Sequence, residues 1–72
     1  MNLYDHVPVT GKKFQCADGR IVVGVGFGEY ADSDEKFFRM KAPSGAPLGY
    51  LPDGTLFGPF QHEPGNIVEV VQ

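Results

Sequence analysis

The chain is short of almost everything a small domain uses to staple itself together. Cys16 is its one cysteine, which excludes an internal disulfide and suits a reducing cytosol. His6 and His62 stand far apart, and together with Cys16 they fall short of the four ligands a structural zinc wants. Nowhere do about eighteen apolar residues run together, and the opening Met-Asn-Leu-Tyr-Asp-His has no basic region followed by an apolar stretch. The expectation is a soluble cytoplasmic protein, with no membrane partner and no cofactor. Positive charge is scarce as well: six Lys and Arg face nine Asp and Glu, for a net charge of -3. Generic nucleic-acid binding is therefore disfavoured, because an acidic chain would have to concentrate its few cations on one face to release counterions.

What the chain has is turn chemistry and β-favouring runs. Asp53-Gly54 lies between Gly49-Tyr50-Leu51-Pro52 and Thr55-Leu56-Phe57, and Asp18-Gly19 lies between Phe14-Gln15-Cys16-Ala17 and the run from Arg20 to Phe27. Both are read as hairpins with tight two-residue turns, since Asp and Gly accept positive φ. Ala42-Pro43-Ser44-Gly45-Ala46-Pro47 is a further turn. Strands are expected at 12–17, 20–29, 36–42, 48–52, 55–60 and 66–71. The fold class is all-β: a small antiparallel, five- to six-stranded, SH3-like, partly open barrel built from Asp-Gly hairpins. Residues 1–72 form a single domain, with 1–10 as an N-terminal arm or lid that could equally reach a neighbouring subunit. The prolines Pro52 and Pro59 place the hairpin they bracket at a sheet edge, or make it begin and end at bulges.

Two strands carry the functional reading. In 20–29, Ile21, Val23, Val25 and Phe27 are expected on the core side, and Val22, Gly24, Gly26 and Gly28 on a face nearly stripped of side chains. Such a face either belongs to a sharply coiled barrel strand or lets a flat ligand or a partner backbone approach. The spacing Gly24, Gly26, Gly28 is not that of a dinucleotide-binding loop, and no helix follows. In 36–42, Phe38, Met40 and Ala42 point to the core, so Phe37, Arg39 and Lys41 share the outside. One ring beside two cations suits stacking on a base while neutralising a phosphate, and it also suits plain protection of an exposed edge.

The remaining stretches are bland. The segment 29–35 holds four carboxylates but lacks the central glycine and the spaced Glu of a calcium loop, so it reads as a solvated loop. His62 reads as solvent-facing. The last strand puts Val68 and Val70 on one face and Ile67, Glu69 and Val71 on the other, apolar on both, which places it inside the barrel or under a second copy. A chain of 72 residues buries only roughly 60% of the surface it exposes when unfolded. Self-association is thus the expected source of further burial. No nucleophile and base come together locally, and catalysis is not expected.

Cys-Ala-Asp-Gly-Arg-Ile-Val at 16–22, Leu-Pro-Asp-Gly-Thr-Leu-Phe at 51–57 and Asn-Ile-Val-Glu-Val-Val at 66–71 resemble short β-rich proteins of tailed bacteriophages and prophages. Asn66 stands where an Asp is more usual in those proteins. The resemblance covers most of the chain; most such proteins have no assigned function, and some small phage proteins of comparable size act against bacterial immunity, which makes an anti-defence role in the host cytoplasm the expectation. One form of that role is a sponge, a homo-oligomer that sequesters a cyclic nucleotide signal of bacterial immunity. Alternatives are an anti-CRISPR-like inhibitor that binds a host protein and a virion accessory or structural protein. From the residues themselves, the candidate ligand-binding set is Arg20, Gly24, Gly26, Phe37, Arg39, Lys41 and Tyr50, with no catalytic and no metal-binding residue.

Overall fold

The computed structural model describes residues 1–29, 36–57 and 64–71. The expected segment 29–35, apart from its first residue, and His62, Pro59 and Phe60 lie outside them. A short 3-10 helix, Leu3–His6, precedes six strands: β1 (Lys13–Cys16), β2 (Ile21–Glu29), β3 (Lys36–Lys41), β4 (Pro47–Tyr50), β5 (Leu56–Phe57) and β6 (Ile67–Val71). They form one antiparallel sheet in the order β5-β4-β3-β2-β1-β6. Among the described residues no ladder closes the sheet, and β5 and β6 are its edges. Its two ends nevertheless touch, because the Ile67 amide donates to the Gly54 carbonyl at 2.8 Å and the Leu56 amide to Asn66 Oδ1 at 2.9 Å. Among the described residues, no helix is long and apolar enough to cross a membrane.

Three of the hairpins use one device, and it is not the two-residue turn. In each, the glycine amide bonds to the carbonyl three residues back: Gly19 to Cys16, Gly45 to Ala42 and Gly54 to Leu51. The residue after the glycine closes the ladder, with Cys16 N–H on the Arg20 carbonyl, Ala42 N–H on Ala46 and Leu51 N–H on Thr55. Only the glycines take positive φ there, at 93°, 90° and 89°. This is the three-residue loop in which an ordinary turn ends in a left-handed residue. Asp18, Ser44 and Asp53 precede those glycines. Asp18 and Asp53 each accept the amide two residues on at 2.9 Å, and Ser44 does so more weakly at 3.5 Å.

The core is one cluster of Leu3, Val9, Phe14, Cys16, Val22, Phe38, Met40, Ala42, Leu48, Tyr50 and Ile67. Alternation puts Phe14 and Cys16 inward from β1, Phe38 and Met40 from β3, and Leu48 and Tyr50 from β4. The N-terminal arm covers this cluster: Leu3 and Val9 are buried, and the Leu3 amide bonds to the Pro52 carbonyl at 2.7 Å.

In two strands the inward and outward sets differ from expectation, and a bulge accompanies each. In β2 the core residue is Val22, fully buried opposite Phe14, while Val23 is 36% and Phe27 49% exposed. Register shifts between Gly24 and Gly26, with Val25 as the extra residue, so strict alternation fails across it. Before the bulge Val22 and Gly24 point in. Beyond it the expected sides hold: Phe27 shares a face with Phe38, their rings 4.6 Å apart, and Gly28 shares the opposite face with Phe37. In β6 a bulge opposite Gln15 and Cys16 leaves Val68 unpaired, so Ile67 and Val70 both turn towards the core while Val68 and Val71 are exposed. Within the single chain that strand is an edge, not a strand enclosed inside a barrel.

Candidate functional site

The outer face of the sheet can be assembled from the register alone, since residues directly opposite one another project to the same side. One row runs Val71, Lys13, Val23, Lys41, Pro47 across β6, β1, β2, β3 and β4. The next runs Gly26, Arg39, Gly49, Phe57, and a third pairs Gly28 with Phe37. The alternation expected in β3 holds: Phe38 and Met40 are buried, Arg39 and Lys41 exposed, and Phe37 half-buried on the outside.

Glycines shape this face. A side chain on Gly28 would run into the end of the Phe37 ring, so the bare position in β2 is what lets that ring lie down on the sheet. Gly49 does the same between two rings: a Cβ there would stand 3.4 Å from Phe37 and 3.4 Å from Phe57. The two rings are nearly parallel, 21° apart in plane with centroids at 5.7 Å. Phe37, Arg39, Pro47, Leu48, Gly49 and Phe57 line a groove of about 240 Å³. Carbon dominates its lining, and Arg39 brings the positive charge. The two rings stand too close to admit a third between them, but such a groove can offer an apolar, aromatic wall to one side of a flat ligand while the guanidinium takes an anion at the ligand's margin.

The seven residues singled out in the sequence divide in two. Phe37, Arg39, Lys41 and Gly26 stand together on the outer face. Gly24 faces inward, where a Cβ would collide with the backbone carbonyl of Val9, so the close approach it permits is that of the chain's own arm. Tyr50 is fully buried, with its hydroxyl donating to the Gly65 carbonyl at 2.9 Å and lying 3.4 Å from Cys16 Sγ. It cannot stack on a ligand, because its place opposite Phe38 turns it into the core. Arg20 sits in the β1–β2 turn, at the other end of β2 from Gly28, and its Nε contacts Asp18 Oδ2 at 2.6 Å. That contact helps hold the Asp18 carboxyl below its ordinary range, after the larger effect of the Arg20 backbone amide.

Phe57, Gly49 and Lys13 join the site without having been singled out. The pairing of Gly49 with Phe57 could have been foreseen from a hairpin centred on Asp53-Gly54, with Tyr50 opposite Leu56. Lys13 had no such signal, since it reaches the face only through the register of β1 against both of its neighbours. Burial raises the Cys16 thiol pKa, outweighing the Tyr50 hydrogen bond that lowers it, so this sulfur is a packing atom. Among the described residues, no three His, Cys, Asp or Glu gather closely enough to hold a metal ion. Comparison with protein-family models, with curated proteins and with solved structures returns no match, which leaves the geometry of this face as the basis for a function.

Proposed function

We propose that the protein is a non-enzymatic binding domain whose outer sheet face takes a planar, anionic, nucleotide-type ligand. The observation that carries the reading is the slot over Gly49, with Phe37 and Phe57 beside it and Arg39 at its margin. The scaffold is a partly open, SH3-like small barrel, a reading supported by the contact of the sheet ends at Gly54 and Ile67. A groove of about 240 Å³ is smaller than the roughly 300–1,000 Å³ of sites that enclose a small ligand. In the homo-oligomer of this reading a second copy faces the first and enlarges the groove. Sequestration of a cyclic nucleotide signal in the host cytoplasm is the form of this function that the resemblance to phage proteins favours.

Calorimetric titration with a panel of cyclic di- and trinucleotides, alongside a solution mass, tests the reading. The expected result is binding by an oligomer, weakened about tenfold or more by Arg39→Ala, the loss of one charge-assisted contact. A monomer that binds none of the panel sinks it. The second reading, an inhibitor docked on a host protein, draws on Val68 and Val71, which are exposed at the β6 edge. It predicts capture of one host protein that Val68→Lys abolishes.

A further inference from the structure

Net charge weighs against a nucleic-acid partner unless the cations gather on one face, and the register gathers them. Of six Lys and Arg in the chain, Lys13, Arg39 and Lys41 project from the outer face. Glu69, opposite Gln15, is the one acid on that face among the described residues. None of the three cations forms an ion pair among those residues.

Their placement is a bent track, one arm along β3 and the other across the strands. Along β3, Phe37, Arg39 and Lys41 follow one another at alternate positions, about 6.8 Å apart, the scale of one nucleotide in an extended single strand. Gly26 and Gly49 flank Arg39, so no side chain stands between the ring slot and that cation. Lys13 lies across the strands from Lys41, at about a right angle to that run, two strands away and about 9.6 Å off, with Val23 between them, so the track bends at Lys41.

We infer that the ligand of this face is a short, linear, single-stranded nucleic acid, with one base in the slot beside Phe37 and Phe57 and successive phosphates on Arg39, Lys41 and Lys13. This rests on the ring slot of the proposed function and not on its oligomer. The chemistry is the combination by which sheet surfaces hold single strands: rings for base faces, which every base has, and a basic track for the backbone. A duplex offers no unstacked base to the slot and fits poorly.

Fluorescence anisotropy with labelled oligothymidylates of 2, 4 and 8 nucleotides tests the assignment, with thymidine monophosphate, a duplex of 8 base pairs and an octaglutamate peptide as competitors. Affinity should rise about tenfold from the dinucleotide to the tetranucleotide and then level off. Lys41→Ala and Lys13→Ala should each weaken the longer strands several-fold, leave the monophosphate unaffected and reduce the slope of log K against log salt by about 0.7. Melting curves identical to the parent protein would show that these exposed lysines are not needed for folding. Length-independent binding, a Lys13→Ala variant that behaves as the parent, or equal competition by octaglutamate overturns the track. If a cyclic dinucleotide binds in an Arg39-dependent manner while longer strands gain nothing, the track alone fails; if no nucleotide binds in any form, the slot fails with it.

Discussion

The Tyr50 hydroxyl donates to the Gly65 carbonyl at 2.9 Å, joining β4 to the segment that leads into β6, four strands away in the order of the sheet. The same oxygen lies 3.4 Å from Cys16 Sγ in β1. One side chain thereby ties together parts of the sheet that no ladder connects. Tyr50→Phe keeps the ring and removes that tie, so it should cost about 1–2 kcal/mol, read as a lower urea midpoint at an unchanged slope. Tyr50→Ala adds a cavity and should cost about 3–5 kcal/mol.

Gly24 and Gly28 look alike in the sequence and should respond differently to alanine. A Cβ on Gly24 meets backbone, the Val9 carbonyl, whose neighbouring residues are pinned by Gly11 N–H on the Gly24 carbonyl and Lys12 N–H on the Val9 carbonyl, each at 2.9 Å. Gly24→Ala should therefore cost about 3 kcal/mol or more and loosen the N-terminal arm. On Gly28 the same atom meets only the end of the Phe37 ring, which can swing away. Gly28→Ala should cost about 1 kcal/mol or less yet weaken ligand binding, because the ring wall of the slot is displaced. Thermal melts and the titrations separate the two effects.

The Cys16 thiol is 1% exposed, and burial raises its pKa. Since the thiolate is the reactive form, it should be inert to a disulfide exchange reagent in the folded protein and react fully in denaturant. Brisk labelling at neutral pH without unfolding would show that the sheet opens locally around β1.

Acid should act on the turns. Hydrogen bonds from Arg20, led by its backbone amide, hold the Asp18 carboxyl below its ordinary range, and those from Thr55 do the same for Asp53. A carboxyl whose pKa is lowered by folding lends stability that is complete above its unfolded value, about 4, and is lost as pH falls through the lower folded value. The Asp18→Ala, Asp53→Ala double variant should be less stable than the parent at pH 7, and the gap should close by about pH 2 as the parent's carboxyls protonate. Urea midpoints at the two pH values check this. A gap that stays constant would assign the loss to turn geometry alone.

Much of this architecture was legible along the chain. Six strands fall close to where β-favouring runs stand between Asp-Gly and Pro-Gly signals, and the outward set Phe37, Arg39, Lys41 followed from simple alternation in β3. Alternation is a local property of extended backbone, so it can be read wherever a strand is regular. It misled in the first half of β2, where Val22 and Gly24 point in, and in β6; in β2 the extra residue brings the expected sides back beyond it, with Phe27 inward and Gly26 and Gly28 outward. Nothing in Ile-Val-Val-Gly-Val-Gly-Phe-Gly announces which residue will be the extra one. That choice depends on the partner strand and on what must fit in front of it, here the Val9 backbone before Gly24.

By itself, then, the chain determined its strands, its glycine-ended turns and the identity of one outward ring and two outward cations, because each depends on residues within a few positions of one another. Tertiary structure alone decided that Tyr50 is interior, that Phe57 comes beside Phe37 over Gly49, and that Lys13 joins Arg39 and Lys41 on one face. Those outcomes depend on which strands lie side by side and in what register, and register is set jointly by all the partners in a sheet.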